Sequence, residues 1–259
     1  MANIIAISNE KGGVAKTTST YSIGSALSAV GKKVLLIDLD PQGNLTLANG
    51  FEPGEIQNNC VNIFSNGTKL KNAILDTKNK NLFLIPSTFQ LSEAESFLPL
   101  KENSDRILIE LINAEILDFD YILMDCPPSI GIIILNALSA ADLLIIPTQA
   151  EYFSAYALRN MMTLVRKVRL SSNPGLAYRI LITMLDQRNK THRTIREQLN
   201  LTFGSGLFKT VVEIDTHLRE SPILGVPINQ YRPNSRGALQ YKTLTEEIIE
   251  YFDEKLGKK

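Results

Sequence analysis

The stretch IIAISNEKGGVAKTTST, residues 4–20, decides the fold. Its first four residues, Ile4 to Ile7, are an aliphatic run of strand character, and a helix is predicted to begin at Lys16 or Thr17. A strand, a glycine-containing turn and a helix in that order bring backbone N–H groups and a helix N-terminus to one point, an arrangement that holds an anion. Gly12 and Gly13 permit close approach of the backbone; Lys16 can reach outer phosphates, and Thr17 can offer its hydroxyl to Mg²⁺. Against the general pattern G-x-x-x-x-G-K-[ST], glycine is missing at Glu10 and Ala15. Ala15 is acceptable if its backbone is already helical, since only a positive φ would demand glycine. The alternative is a surface turn with two incidental glycines.

Outward from this stretch, short aliphatic runs recur at Val34 to Ile37, Leu82 to Ile85, Tyr121 to Met124, Leu143 to Ile146, Arg179 to Met184 and Phe208 to Val212. Most are continuous and not alternating, the pattern of strands covered on both faces. Helix-compatible segments lie between them: Thr17 to Val30, Ser104 to Leu117, Ile132 to Ala140, Ala155 to Val168, Arg193 to Asn200 and Ala238 to Leu256. This alternation predicts an α/β fold, a single doubly wound, mostly parallel sheet with helices on both faces. Gly50 to Lys80 and Ser87 to Asn103 are the least regular segments, too short to be separate domains, so residues 1–259 are expected to form one domain.

Two further stretches carry carboxylates at strand ends. In VLLIDLDPQGN, Asp38 and Asp40 stand at alternate positions, so both can face one metal and water site; a solvated turn after a strand is the alternative. In YILMDCPPS, an apolar strand ends in Asp125, the arrangement in which a carboxylate holds Mg²⁺ directly or through water. Alone, this last signal is weak. Cys126 reads as a small packing residue.

The string Lys11-Gly12-Gly13-Val14-Ala15-Lys16-Thr17-Thr18 resembles the deviant Walker A motif, K-G-G-x-x-K-[ST], of the ParA/MinD class of P-loop ATPases. Asp38 to Asn44 resembles the family's switch I sequence, D-x-D-P-Q-G-N, and Asp125 to Ser129 its D-x-P-P-S. The resemblance implies ATP and Mg²⁺ as ligands, Lys11 to Thr18 as the nucleotide loop, and Thr17, Asp38 and Asp125 around the metal. It also implies that Lys11 crosses a sandwich homodimer to the phosphates of the other subunit, while Asp40 orients or activates the attacking water. With one essential cation supplied by the second subunit, hydrolysis is expected to be slow and dimer-dependent.

Composition bounds the remaining possibilities. The 259 residues are 44% apolar and 21% charged, with net charge zero, as in an ordinary globular protein long enough to bury a full core. Cys60 and Cys126 form neither a metal pair nor a disulfide framework, which suits a reducing cytoplasm. There is no basic leader and no apolar run near membrane-spanning length, so neither secretion nor membrane insertion is expected. His192 and His217 are too far apart in sequence to suggest a local metal motif.

Charge is nonetheless uneven. From Tyr152 to Arg196, nine basic residues stand against one acid, which fits a non-specific DNA surface or scattered solvated helix faces. Leu181 to Arg188 and Val211 to Pro222 are similar to the later regions of Soj-type proteins, which implies a nucleoid-bound partitioning or positioning ATPase stimulated by a ParB-like partner. His217 departs from that pattern by standing where the family carries an arginine, leaving Arg188, Arg193 and Arg219 as the DNA-binding candidates. Three alternatives remain. A MinD-like membrane-cycling regulator is disfavoured by the acidic closing helix, with Glu246, Glu247, Glu250, Asp253 and Glu254, although Lys258 and Lys259 follow it. A dethiobiotin-synthetase-like metabolic enzyme would need no basic patch. An iron–sulfur reductase would need cluster cysteines, and Cys60 and Cys126 do not match that pattern.

Overall fold

In the computed structural model, which describes residues 2–100, 102–115 and 117–257, strands and helices alternate along the chain. The first half contains β1 (Asn3–Ile7), α1 (Lys16–Ala29), β2 (Val34–Asp38), α2 (Asn44–Ala48), α3 (Cys60–Asn66), β3 (Leu75–Asp76), β4 (Leu82–Ile85), α4 (Leu91–Phe97) and α5 (Ile107–Ala114). The second half contains β5 (Tyr121–Asp125), α6 (Ile132–Ala140), β6 (Leu143–Gln149), α7 (Ser154–Ser171), β7 (Ala177–Thr183), α8 (Lys190–Phe203), α9 (His217–Ile223), α10 (Ile228–Tyr231) and α11 (Arg236–Gly257). Lys258 and Lys259 lie outside the described residues.

The strands form one sheet in the order β3-β4-β2-β5-β1-β6-β7, with every pairing parallel except β3 against β4. Continuous apolar strands follow directly from burial on both faces. Ile4, Ala6, Leu35, Ile37, Ile122 and Met124 join a core covered by α3 to α8, whereas Ile5, Ile7, Leu36, Leu123 and Ile145 pack on the other side under α1 and α11. Helix α1 lies close on β2: a Cβ at Gly24 would meet Leu36 Cδ2 at 2.6 Å.

Six of the seven expected strands are present, and the doubly wound sheet is as expected. Phe208 to Val212 is not a strand. Its Phe208 and Val212 N–H groups bond the β7 carbonyls of Ile180 and Ile182 at 3.0 and 2.9 Å, but Lys209 and Thr210 donate instead to the Glu247 carboxylate at 2.8 and 3.2 Å. A side chain of α11 thus takes donors from this segment and keeps it outside the regular ladder. The seventh strand is the short antiparallel β3, inside a segment whose Asn-, Gly- and Lys-rich composition hides it.

In open parallel sheets a crevice opens at the carboxyl ends of strands where the winding direction reverses. Here β1 lies between β5 and β6, and the carboxyl ends of β1, β2 and β5 come side by side. Ile7 and Asp38 are both register partners of Asp125.

Candidate active site

The segment after β1 turns through Gly13 (φ 71°) and Ala15 (φ 68°, ψ 34°) before α1 starts at Lys16. Ala15 is therefore left-handed, not helical, which corrects the condition on which its tolerance rested. The general loop pattern places glycine there because a Cβ in this conformation costs about 1–2 kcal/mol. No side chain caps the N-terminus of α1 and no acid lies in its first turn. Its free N–H groups can therefore receive an anion.

A cleft of about 620 Å³ opens over this terminus, lined in part by Gly12, Gly13, Lys16, Thr17, Thr18 and Asp40. Thr17 Oγ1 donates to Asp125 Oδ2 at 2.6 Å, and Thr20 Oγ1 to Asp125 Oδ1 at 3.2 Å. Lys16 is buried, with Nζ 3.3 Å from the Lys11 carbonyl oxygen; burial lowers its pKa, against the pull of Asp125 and Asp40. Val14 is fully packed, and its carbonyl accepts from Thr183 Oγ1 at 3.1 Å, tying the loop to β7.

Asp38 shapes the neighbouring loop. Its Oδ2 accepts from Thr46 N at 2.8 Å and Thr46 Oγ1 at 2.7 Å, and its Oδ1 from Asp40 N at 3.1 Å. Asp40 Oδ1 in turn accepts from Gln42 N at 2.9 Å. Burial pushes the Asp38 carboxyl up to about 7; burial and then the charge of Asp38 push Asp125 to about 8. Acids crowded into a dry site resist ionisation unless a cation is supplied.

The donor chemistry fits a hard divalent cation: a threonine hydroxyl beside a carboxylate, with further carboxylates adjacent. Among the described residues, no three His, Cys, Asp or Glu side chains form a cage able to hold a metal alone. Mg²⁺ fits such a site because it takes few protein ligands and completes its shell with water and phosphate oxygens.

Several cleft residues carry no sequence signal of their role. Tyr21, Leu47, Ala48 and Ile223 are of this kind, whereas Ala15, Gln42, Asn44, Pro128, Met184 and Pro222, which complete the lining, lie within stretches already singled out in the sequence. Met184 has φ 51°, an unusual backbone for a bulky residue and of a kind that collects at functional sites. Gln149 and Glu151, which bond Lys11 across more than a hundred residues, are likewise invisible in the motif.

The candidate arginines lie in the loop after β7, on α8 and on α9. Arg188 forms two 3.0 Å hydrogen bonds with Asp186, and Arg193 on α8 donates to the Gln187 carbonyl at 2.6 Å. Arg219 is exposed on α9. Arg236, on α11, pairs with Glu213 at 2.8 Å and shares a polar cleft of about 660 Å³ with Arg188. His217 Nδ1 lies 2.8 Å from Asp215 Oδ1. Two members of the basic run serve packing: Arg169 bonds the Leu176 carbonyl at 2.7 Å, and Arg179 lies over the Tyr251 ring at 5.0 Å.

Sheet order, phosphate loop and converging carboxylates define a P-loop NTPase of the ParA/MinD class. The sequence profile of a family described as AAA domain matches residues 2–178. The chain is 38% identical over 249 residues to the sporulation initiation inhibitor protein Soj of Bacillus subtilis (strain 168), covering 96% of this chain and 98% of that protein. It is 36% identical over 252 residues to the chromosome-partitioning ATPase Soj of Treponema pallidum (strain Nichols), covering 96% and 98%. A similar solved structure is cobyrinic acid a,c-diamide synthase from Mycobacterium smegmatis with bound ATP analog and magnesium. Its TM-score is 0.82 at 27% identity, covering 98% of this chain and 96% of that one. The chain belongs to the Soj/ParA family of partitioning ATPases.

Proposed function

We propose that this chain, acting as one unit, binds ATP and Mg²⁺, dimerises around the nucleotide, associates with DNA non-specifically, and positions a cargo through hydrolysis stimulated by a ParB-like partner. The observation that carries this reading is the convergence of Lys16, Asp40 and Thr17 on one cleft, with Asp125 2.6 Å behind Thr17 and the Lys11 carbonyl 3.3 Å from Lys16 Nζ. In this assignment, Thr17 and Asp125 hold Mg²⁺, and Asp38 supports that shell by fixing the loop that carries Asp40. Mg²⁺, when bound, offsets phosphate charge. The loop N–H groups and Lys16 grip the phosphates, and Asp40 accepts a hydrogen bond from the attacking water. Such a site accelerates phosphoryl transfer by positioning and charge more than by covalent chemistry.

Hydrolysis depends on the second copy because its Lys11 supplies the remaining cation. DNA affinity then follows the nucleotide as a shift between populations of monomer and dimer. Among the described residues, no helix is long and apolar enough to cross a membrane. The test is binding to DNA of unrelated sequences at one fixed salt concentration, with ADP, ATP or a slowly hydrolysed analogue. Tight binding is expected only with the triphosphates. Binding that is absent, or indifferent to nucleotide, would contradict the proposal.

A further inference from the structure

Lys11 does not line the cleft that its neighbours Gly12, Gly13 and Lys16 line. Its ammonium lies 2.5 Å from Glu151 Oε2 and 3.0 Å from Gln149 Oε1. Gln149 ends β6, and its amide is oriented from the other side: Nε2 donates to the Gly13 carbonyl at 3.3 Å and faces Met184 Sδ at 3.0 Å. With the nitrogen so engaged, the amide oxygen is left for Lys11. A second tie runs from α7, where Asn160 Nδ2 donates to Glu10 Oε1 at 2.7 Å. The Lys11 backbone is held too, its N–H on Asn9 Oδ1 at 3.0 Å. The outer edge of the phosphate loop is thus fastened to the end of β6 and to α7 by three side chains from that region: Gln149, Glu151 and Asn160.

We infer that Gln149 and Glu151 are positioning residues that retain Lys11 within its own subunit, in competition with its transfer to the phosphates of a second copy. This rests on the ATP-driven dimer proposed above. An ammonium has three donors, and two of them are already directed at oxygens of its own chain. It cannot keep the Glu151 contact while it extends to a phosphate in another subunit. The side chains of Lys11 and Glu151 remain 27% and 46% exposed, so water screens the pair and the hold is weak. A weak hold suits a restraint that ATP and a partner subunit can overcome. Glu151 therefore lowers basal turnover without blocking it.

The test uses the full-length protein with Glu151→Gln, which removes the charge at nearly constant shape, and Glu151→Asp, which restores it. Without nucleotide, the rate at which an amine-reactive ester acylates Lys11, read by mass spectrometry, is expected to rise about two- to fivefold in the Gln variant. The Asp variant should return it toward wild type. With Mg²⁺ and ATP, kcat should rise by a similar factor in the Gln variant while KM for ATP stays constant, and the gain should vanish in a Lys11→Ala background. Unchanged labelling overturns the contact. A fall in kcat, or a gain that survives without Lys11, overturns the restraint. Wild-type protein that forms no ATP-dependent dimer overturns the functional reading instead, a result separable from faster labelling with intact dimers and unchanged kcat, which overturns the restraint alone.

Discussion

Ala15 shows how a single backbone angle separates a general loop from this one. At φ 68° it occupies a conformation in which any Cβ is strained, yet it directly precedes Lys16 and sets the start of α1. Ala15→Gly should relieve about 1–2 kcal/mol of left-handed strain while adding about 0.5–1 kcal/mol of unfolded-state entropy. The net expectation is a gain of about 0.5 kcal/mol, read as a higher urea midpoint at constant m-value. A midpoint that falls would mean that the left-handed alanine carries no such strain. The identities of Lys16, Thr17 and Asp125 were legible as a set because each follows a recognisable strand or begins a helix. The 2.6 Å bond from Thr17 to Asp125 spans 108 residues, and no local pattern encodes that distance.

Among the elements, Phe208 to Val212 is the informative failure. Its composition is that of a strand, and two of its N–H groups do bond β7. Glu247 on α11 binds the N–H groups of Lys209 and Thr210, so a carboxylate nearly forty residues away decides the secondary structure. Removing it by Glu247→Ala should destabilise the fold by about 1–3 kcal/mol, since two donors lose a charged acceptor, with the lower end favoured by their partial exposure. Amide exchange at Lys209 and Thr210 should accelerate in the same variant. Unaltered exchange there would show that the carboxylate is not what holds the segment. The opposite error, the missed β3, has a related cause: a two-residue edge strand is defined by its partner β4 and not by its own hydrophobicity.

Across the whole molecule, three cations of the basic run from Tyr152 to Arg196 are engaged locally, Arg169 with the Leu176 carbonyl, Arg179 with the Tyr251 ring and Arg188 with Asp186, while Arg166, Lys167 and Lys190 are exposed. If Arg193 and Arg219 meet phosphates, each substitution by Ala should reduce the slope of log affinity against log salt by about 0.9, without altering sequence preference. Slopes equal to wild type would remove those residues from the DNA surface. The sequence by itself determined the layered architecture and singled out Lys11 to Thr18, Asp38, Asp40 and Asp125 as the candidate site. Continuous apolar runs, helix starts and motif spacing are local properties, each contained within one short segment. Only the tertiary structure decided the left-handed Ala15, the cleft lining at Met184 and Ile223, and the hold of Gln149 and Glu151 on Lys11. The crossovers between parallel strands bring distant segments to one end of the sheet, and which side chains then meet depends on register and packing that no single segment contains.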